Sequence, residues 1–175
     1  MEEVETIKKA MIGDARSLEI LIEKYYGSIY AFCCRRVGDE SIGAEICQES
    51  FLRMVQNLPK YNERGYFKSW LFAIASNCCI DALRKHKQTA ELSDMIVDNT
   101  QDFESGISNS ILIKSALSQL PDFQAEAVIL RYYHDFSIKD IAKAQHIPLA
   151  TAKTRLHRSL KKLQKILGED ILLET

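Results

Sequence analysis

Residues 137–167 read SIKDIAKAQHIPLATAKTRLHRSLKKLQKIL, and the fold is decided by how this stretch is read. Ser137 followed three residues later by Asp140 has the spacing of a capping box, and Ile138, Ile141 and Ala142 then share one helical face. A short supporting helix is expected there. Ile147 stands before Pro148, which biases its backbone toward extended geometry, while Pro148 suits the first turn of a new helix. In that second helix Leu149, Ala152, Leu156, Leu160, Leu163 and Leu167 step by three or four residues along one stripe; Thr151, Thr154, Arg158, Lys161 and Lys165 lie opposite. The helix carries six positive charges and no negative one. Two amphipathic helices around a turn also occur as a plain packing hairpin; the unbroken charge argues for a helix-turn-helix that meets phosphate.

Outward from this motif the rest of the chain also reads as helix. With 175 residues, 46% hydrophobic, and only seven Gly and three Pro, the sequence suits two small domains of an all-α protein with no substantial sheet. Leu18, Leu21, Ile22, Tyr25, Ile29, Cys33 and Val37 recur at helical spacing from Ser17 to Val37. Ile42 to Leu58 continues with Cys47, Phe51, Met54 and Val55 as core positions, and a third long helix from Tyr66 to about His86 buries Phe67, Leu71, Ile74, Cys78 and Ala82. Between them NLPKYNERG, residues 57–65, reads as an exposed basic loop. Thr89 to Ile107 is acidic and lacks a clean period, which predicts a flexible linker between a domain over 1–88 and another over 108–168. The second domain opens with a helix near Ser108 to Leu120, breaks at Pro121 and resumes over Asp122 to Tyr133.

Charge is segregated along the chain. The net charge is −1, yet residues 108–167 hold ten basic and four acidic side chains, whereas residues 89–107 hold five acidic and none basic. The C-terminal domain is thus locally cationic, as a nucleic-acid partner requires. No apolar run approaches the roughly 20 residues that span a bilayer, and MEEVETIKKA is unlike a signal peptide, so a cytoplasmic protein with no direct membrane insertion is expected. The cysteines fall as Cys33-Cys34, Cys47 and Cys78-Cys79 inside helical patterns with no C-x-x-C spacing, which predicts reduced, buried thiols; a redox or metal-sensing role is the alternative. No Gly-rich phosphate loop, G-x-S-x-G or H-E-x-x-H occurs, so neither an enzyme nor a cofactor or metal is expected.

Two sets of residues carry the candidate chemistry. In the second helix of the motif Thr151, Lys153, Thr154, Arg155, His157 and Arg158 stand where base edges come within reach, with Arg155 or Arg158 suited to bidentate contact with guanine and Lys161, Lys162 and Lys165 suited to the backbone. In the N-terminal half Lys60, Tyr61, Asn62, Arg64, Lys68, Asn77 and Arg84 mix aromatic, amide and cationic groups, which suits bases drawn out of the duplex stack. Phe67 and Trp70 sit at core spacing and are expected inside.

These residues resemble a known family. GAEICQESFLRMVQNL (43–58) is similar to the core-polymerase-binding helix of extracytoplasmic-function (ECF) sigma factors, and YFKSWLFAIASNCCIDALRKHK (66–87) to their promoter-melting helix. LPDFQAEAVILRYYHDFSIKDIAKAQHIPLATAKTRLHRSLKKL (120–163) is similar to their C-terminal reader. The resemblance implies that Glu45, Gln48, Glu49 and Arg53 face the clamp helices of the polymerase, a role for which their shared polar face is geometrically suited. It implies further that the second domain meets the flap, that the loop Lys60 to Gly65 with Asn77, Asp81 and Arg84 captures an unstacked base of the minus-ten element, and that Thr151 to Arg158 reads the minus-thirty-five element. An anti-sigma factor, itself able to hold the chain at the inner face of the membrane, is the further partner so implied. Ala44-Glu45 departs from the acidic pair usual in the family, Ala150 from the usual Gly, and Cys78-Cys79 from aliphatic residues. A free-standing helix-turn-helix regulator with a ligand-binding or dimerising N-terminal half is the competing reading.

Overall fold

The computed structural model describes residues 2–62, 64–92 and 107–168, and every regular element among them is helical. The N-terminal half comprises α1 (Glu2–Met11), α2 (Ala15–Val37), α3 (Glu40–Asn57) and α4 (Phe67–Leu92), with a 3-10 turn at Leu58–Lys60. The C-terminal half comprises α5 (Ile107–Ser118), α6 (Asp122–Tyr133), α7 (Ile138–Ala144) and α8 (Leu149–Leu167). The ends of the expected linker are helical, because α4 runs on to Leu92 and α5 begins at Ile107; residues 93–106, the rest of that expectation, lie outside the described residues. Helix α1 has no counterpart among the helices expected from the sequence, although Ile7 and Ala10 enter the core one turn apart.

Two residues turn α2 into α3. Gly38 ends α2 with a left-handed φ of 76° and donates its N–H to the Cys34 carbonyl, and Asp39 begins α3 by accepting the Ile42 N–H at 2.8 Å. The two helices then run back against each other at backbone contact. A methyl group on Gly43 would lie 2.8 Å from Cα of Cys34 and 2.9 Å from its nitrogen, so neither helix can yield by moving a side chain alone.

Helix α4 is buried on more than one side. Phe67, Leu71 and Cys78 are inside as the spacing implies, but so are Phe72, Ala73, Ala75, Ser76 and Cys79, while Ile74 and Ala82 are only half-buried. The reason is that α4 packs on α2 and α3 with one face and on α7 with another. Val55 of α3, expected in the core, is instead 37% exposed.

The two halves therefore meet along a substantial seam. Rings of Phe32 and Phe72 enclose His134, with centroids 5.8 and 5.0 Å from the imidazole, and Phe136 lies 4.9 Å from Phe72. Around this apolar centre Lys68 Nζ donates to the His134 carbonyl and Lys114 Nζ to the Gly38 carbonyl, each at 2.8 Å. Ser76 Oγ donates to Glu126 Oε2 at 2.6 Å, and Arg36 Nε lies 3.6 Å from the same oxygen, with both charged side chains almost wholly buried.

Substituting Gly43→Ala should cost about 1 to 3 kcal/mol through forced separation of α2 and α3, read as a lower urea midpoint with an unchanged slope. A second prediction concerns His134, whose buried imidazole is pushed down from 6.5 to about 4 by desolvation first and then by Arg35 and Lys68. Above pH 6.5 it is neutral with the seam closed or open; as pH falls from 6.5 toward 4 only the opened or unfolded form takes the proton, so stability is lost across that window. His134→Phe should flatten the decline of melting temperature between pH 7 and pH 5, and parallel declines for variant and wild type would refute this role of the ring.

Candidate nucleic-acid interface

In the C-terminal half the capping box is present in full: the Ser137 hydroxyl accepts the Asp140 N–H and the Asp140 carboxylate accepts the Ser137 N–H, each at 3.2 Å. The acidic side chain within the motif, Asp140, is thereby committed to the start of α7. Ala152, Leu156, Ser159 and Leu163 bury one face of α8, and Thr151, Lys153, Thr154, His157, Arg158, Lys161 and Lys162 are exposed on the rest. The Thr154 and Ser159 hydroxyls donate to the carbonyls of Ala150 and Arg155, one turn back on their own helix. Two side chains depart from expectation. Leu149 is 55% exposed, because the helix starts one turn before its apolar stripe reaches the core. Arg155 is half-buried and donates to the Gln145 side chain at 2.7 Å, its guanidinium 4.5 Å above the Phe123 ring.

The candidate residues of the N-terminal half divide more sharply. Lys60, Asn62 and Arg64 are exposed. Tyr61 does not stand free for a base: its ring is half-buried, 4.5 Å from Trp70 and 5.6 Å from Phe67, because the 3-10 turn buries Leu58 and draws the loop inward. The Lys68 ammonium is engaged in the seam, on the His134 carbonyl and 4.7 Å over Phe136. Asn77, Asp81 and Arg84 follow one another at helical spacing on α4, and all three reach solvent.

Two expected sites turn out to share a network. Arg53 donates from Nε to Glu49 at 2.6 Å and from Nη1 to Asp81 at 3.2 Å, and the other Asp81 oxygen accepts from Arg84 at 3.2 Å. These side chains are 37% to 69% exposed, so each pair is worth only about 0.2 to 1 kcal/mol and serves to orient the groups. Glu45 and Gln48 are exposed on the same helix, and Leu52 and Val55 add exposed apolar surface beside them that the polar pattern did not reveal.

Cys33, Cys47, Cys78 and Cys79 are buried, and Cys34 is half-buried. Hydrogen bonding to Cys79 and then burial raise the Cys33 thiol, and burial pushes Cys47 up to about 11, so both stay protonated at neutral pH. Among the described residues the five are free thiols, and no cluster of three or more His, Cys, Asp or Glu has a metal-holding arrangement. No described helix is long and apolar enough to cross a membrane.

Residues 21–89, spanning α2 to most of α4, match the model of sigma-70 region 2, and residues 110–163, spanning most of α5 to α8, match that of sigma-70 region 4. The chain belongs to the sigma-70 family. Its relatives place it among the ECF sigma factors: it is 29% identical to the ECF RNA polymerase sigma factor SigW of Bacillus subtilis (strain 168), over 93% of this chain and 95% of that one. It is 26% identical to SigM of the same organism, over 89% and 98% of the two chains. In three dimensions it superposes on the sigma factor RpoE of Bartonella quintana, solved with the anti-sigma factor NepR, at a TM-score of 0.76 and 21% identity, covering 89% of this chain and 99% of that one. CnrH, solved with the cytosolic domain of CnrY, superposes at 0.74 and 21% identity over 96% and 98%. These two show the shared fold. As an alternative sigma factor the protein serves promoter recognition and transcription initiation; sigma factors are initiation factors and not themselves catalysts.

The turn of the sigma factor's helix-turn-helix contains one strained position, His146, at a left-handed φ of 52°. His146→Gly should relieve it and raise stability by up to about 1 kcal/mol, measured by urea denaturation; a lower midpoint would show that the imidazole contributes more than the backbone costs.

Proposed function

We propose that residues 1–88 dock on the clamp helices of core RNA polymerase and capture the minus-ten element, and that residues 108–168 meet the flap and read the minus-thirty-five element. Glu45, Gln48, Glu49 and Arg53, with the apolar Leu52 and Val55 among them, form the polymerase face. Lys60, Asn62, Arg64, Asn77, Asp81 and Arg84 line the path of the melted strand, while Tyr61 shapes it from the aromatic cluster and Lys68 joins once the seam opens. Thr151, Lys153, Thr154, Arg155, His157 and Arg158 enter the major groove, with Lys161 and Lys162 on phosphate. The protein contributes recognition and melting in the cytoplasm and no catalytic step of its own.

The observation that carries this reading is the face of α8, cationic and without a carboxylate, set on a helix-turn-helix whose first helix opens with a complete capping box and joined in one chain to the Asn77, Asp81 and Arg84 face. The seam adds a condition. By their positions the two promoter elements lie about 25 base pairs apart, about 85 Å along the duplex at 3.4 Å per step. Domains joined by a 2.8 Å hydrogen bond from Lys68 to the His134 carbonyl cannot reach both, so engagement requires the halves to part. An anti-sigma factor that clasps the closed pair, and holds it at the membrane where it is itself anchored, fits the same geometry; the B. quintana sigma factor was solved with the anti-sigma factor NepR and CnrH with the cytosolic domain of CnrY.

Run-off transcription with bacterial core polymerase and fragments of the source genome tests the proposal. The complete protein should start transcripts at discrete promoters, and Arg158→Ala should lower that output about 5- to 150-fold, the loss of one base-reading contact worth 1 to 3 kcal/mol. Binding of palindromic duplex by a dimer of the chain, with no initiation on any fragment, would instead favour a free-standing regulator.

A further inference from the structure

Gln145, in the turn between α7 and α8, has every group of its side-chain amide committed. Nε2 donates to the Phe123 carbonyl at 3.0 Å and to Glu126 Oε1 at 3.2 Å, and Oε1 accepts from Arg155 Nη1 at 2.7 Å. Because the two N–H groups face two acceptors, the oxygen has one direction left, toward the arginine. The anchor lies in the same half of the chain as Arg155 and stays with it when the halves part, because Phe123 and Glu126 both belong to α6. The Phe123 ring supports the guanidinium from below at 4.5 Å. Arg155 is thus held from two directions while its Nε and Nη2 donors carry no bond among the described residues, and among the same residues Arg158, three positions on, has no side-chain partner.

We infer that Gln145 is a positioning residue that preorganises Arg155 for a guanine edge in the upstream promoter element. This rests on the proposed reading of α8. An arginine fork recognises guanine O6 and N7 bidentately only if its plane is aligned, and an arginine free in solvent must lose its rotamer freedom at the moment of binding. Bonding to Gln145 and stacking on Phe123 remove that freedom beforehand. Gln145 touches no base itself; its effect is exerted through Arg155, so its loss should appear at the base pair Arg155 reads and nowhere else.

The experiment is a selection from duplexes randomised across the upstream element, using holoenzyme formed from bacterial core polymerase and the complete chain. Four forms are compared: wild type, Arg155→Ala, Gln145→Met and the double variant. Methionine keeps the volume and removes the polar atoms, and Gln145→Ala serves as a second variant should the longer side chain repack. Gln145→Met should weaken preference at the same base pair as Arg155→Ala by about 2- to 12-fold, the range expected for ordering one long side chain, and should add nothing to the double variant. Unchanged preference, or a loss spread evenly over all positions, overturns the inference. If Arg155→Ala alters no position, the assignment of Arg155 and the inference fall together. Promoter-dependent initiation by the wild-type holoenzyme, scored in parallel, keeps the sigma-factor reading separate from either result.

Discussion

Glu126 carries a carboxylate with almost no access to water, and the arrangement of both halves follows from how that charge is held. One oxygen accepts from Ser76 of α4 and lies 3.6 Å from Arg36 of α2; the other accepts from Gln145 beside the recognition helix. Removing a charge from water costs several kcal/mol, which is recovered only where partners surround it. The partners come from both domains, so the seam is where Glu126 is satisfied. Arg36 is less fully served from the other side: its carboxylate contacts are at 3.6 Å to Glu126 and 3.8 Å to Asp122, and its buried Nε and Nη2 make no hydrogen bond among the described residues. Apolar rings do the remaining work by excluding water from the pair, and His134 stays neutral among them.

The helix-turn-helix was legible in the sequence because its signals are local. A capping box, a residue before proline and a stripe of leucines each act within a few residues, and α6, α7 and α8 form where those signals lie. Residues at the seam were not legible, since nothing near Lys68, Ser76 or His134 in the chain announces a partner 50 or 66 positions away. Their one trace is compositional: α4 is too apolar all round to have a single buried face. The partial burial of Tyr61 escaped the sequence for a related reason. Loop composition favours exposure, but the aromatic rings of Phe67 and Trp70 offered it more contact area than solvent did.

Two surfaces that are distinct by family resemblance are contiguous in the structure. Arg53 and Asp81 join a helix proposed for polymerase to a face proposed for promoter DNA, and each side chain has a second partner of its own. A polymerase contact that draws Glu49 away from Arg53 strengthens the competition of Arg53 for Asp81, and so alters how firmly Asp81 holds Arg84. The coupling is small because the groups are exposed. It nonetheless gives docking and strand capture a shared set of charges, without a moving element between them.

Lys68 has one ammonium group and two claims on it. In the closed chain that group is spent on the His134 carbonyl and on Phe136. A promoter strand drawing on the same charge, as proposed above, would compete with the second domain as an inhibitor competes with a substrate, and its apparent affinity would be the intrinsic one scaled by the fraction of molecules already open. On that proposal seam strength would act as a set point: tightening it by about one order of magnitude would raise by about the same factor the protein concentration needed for a given occupancy of DNA.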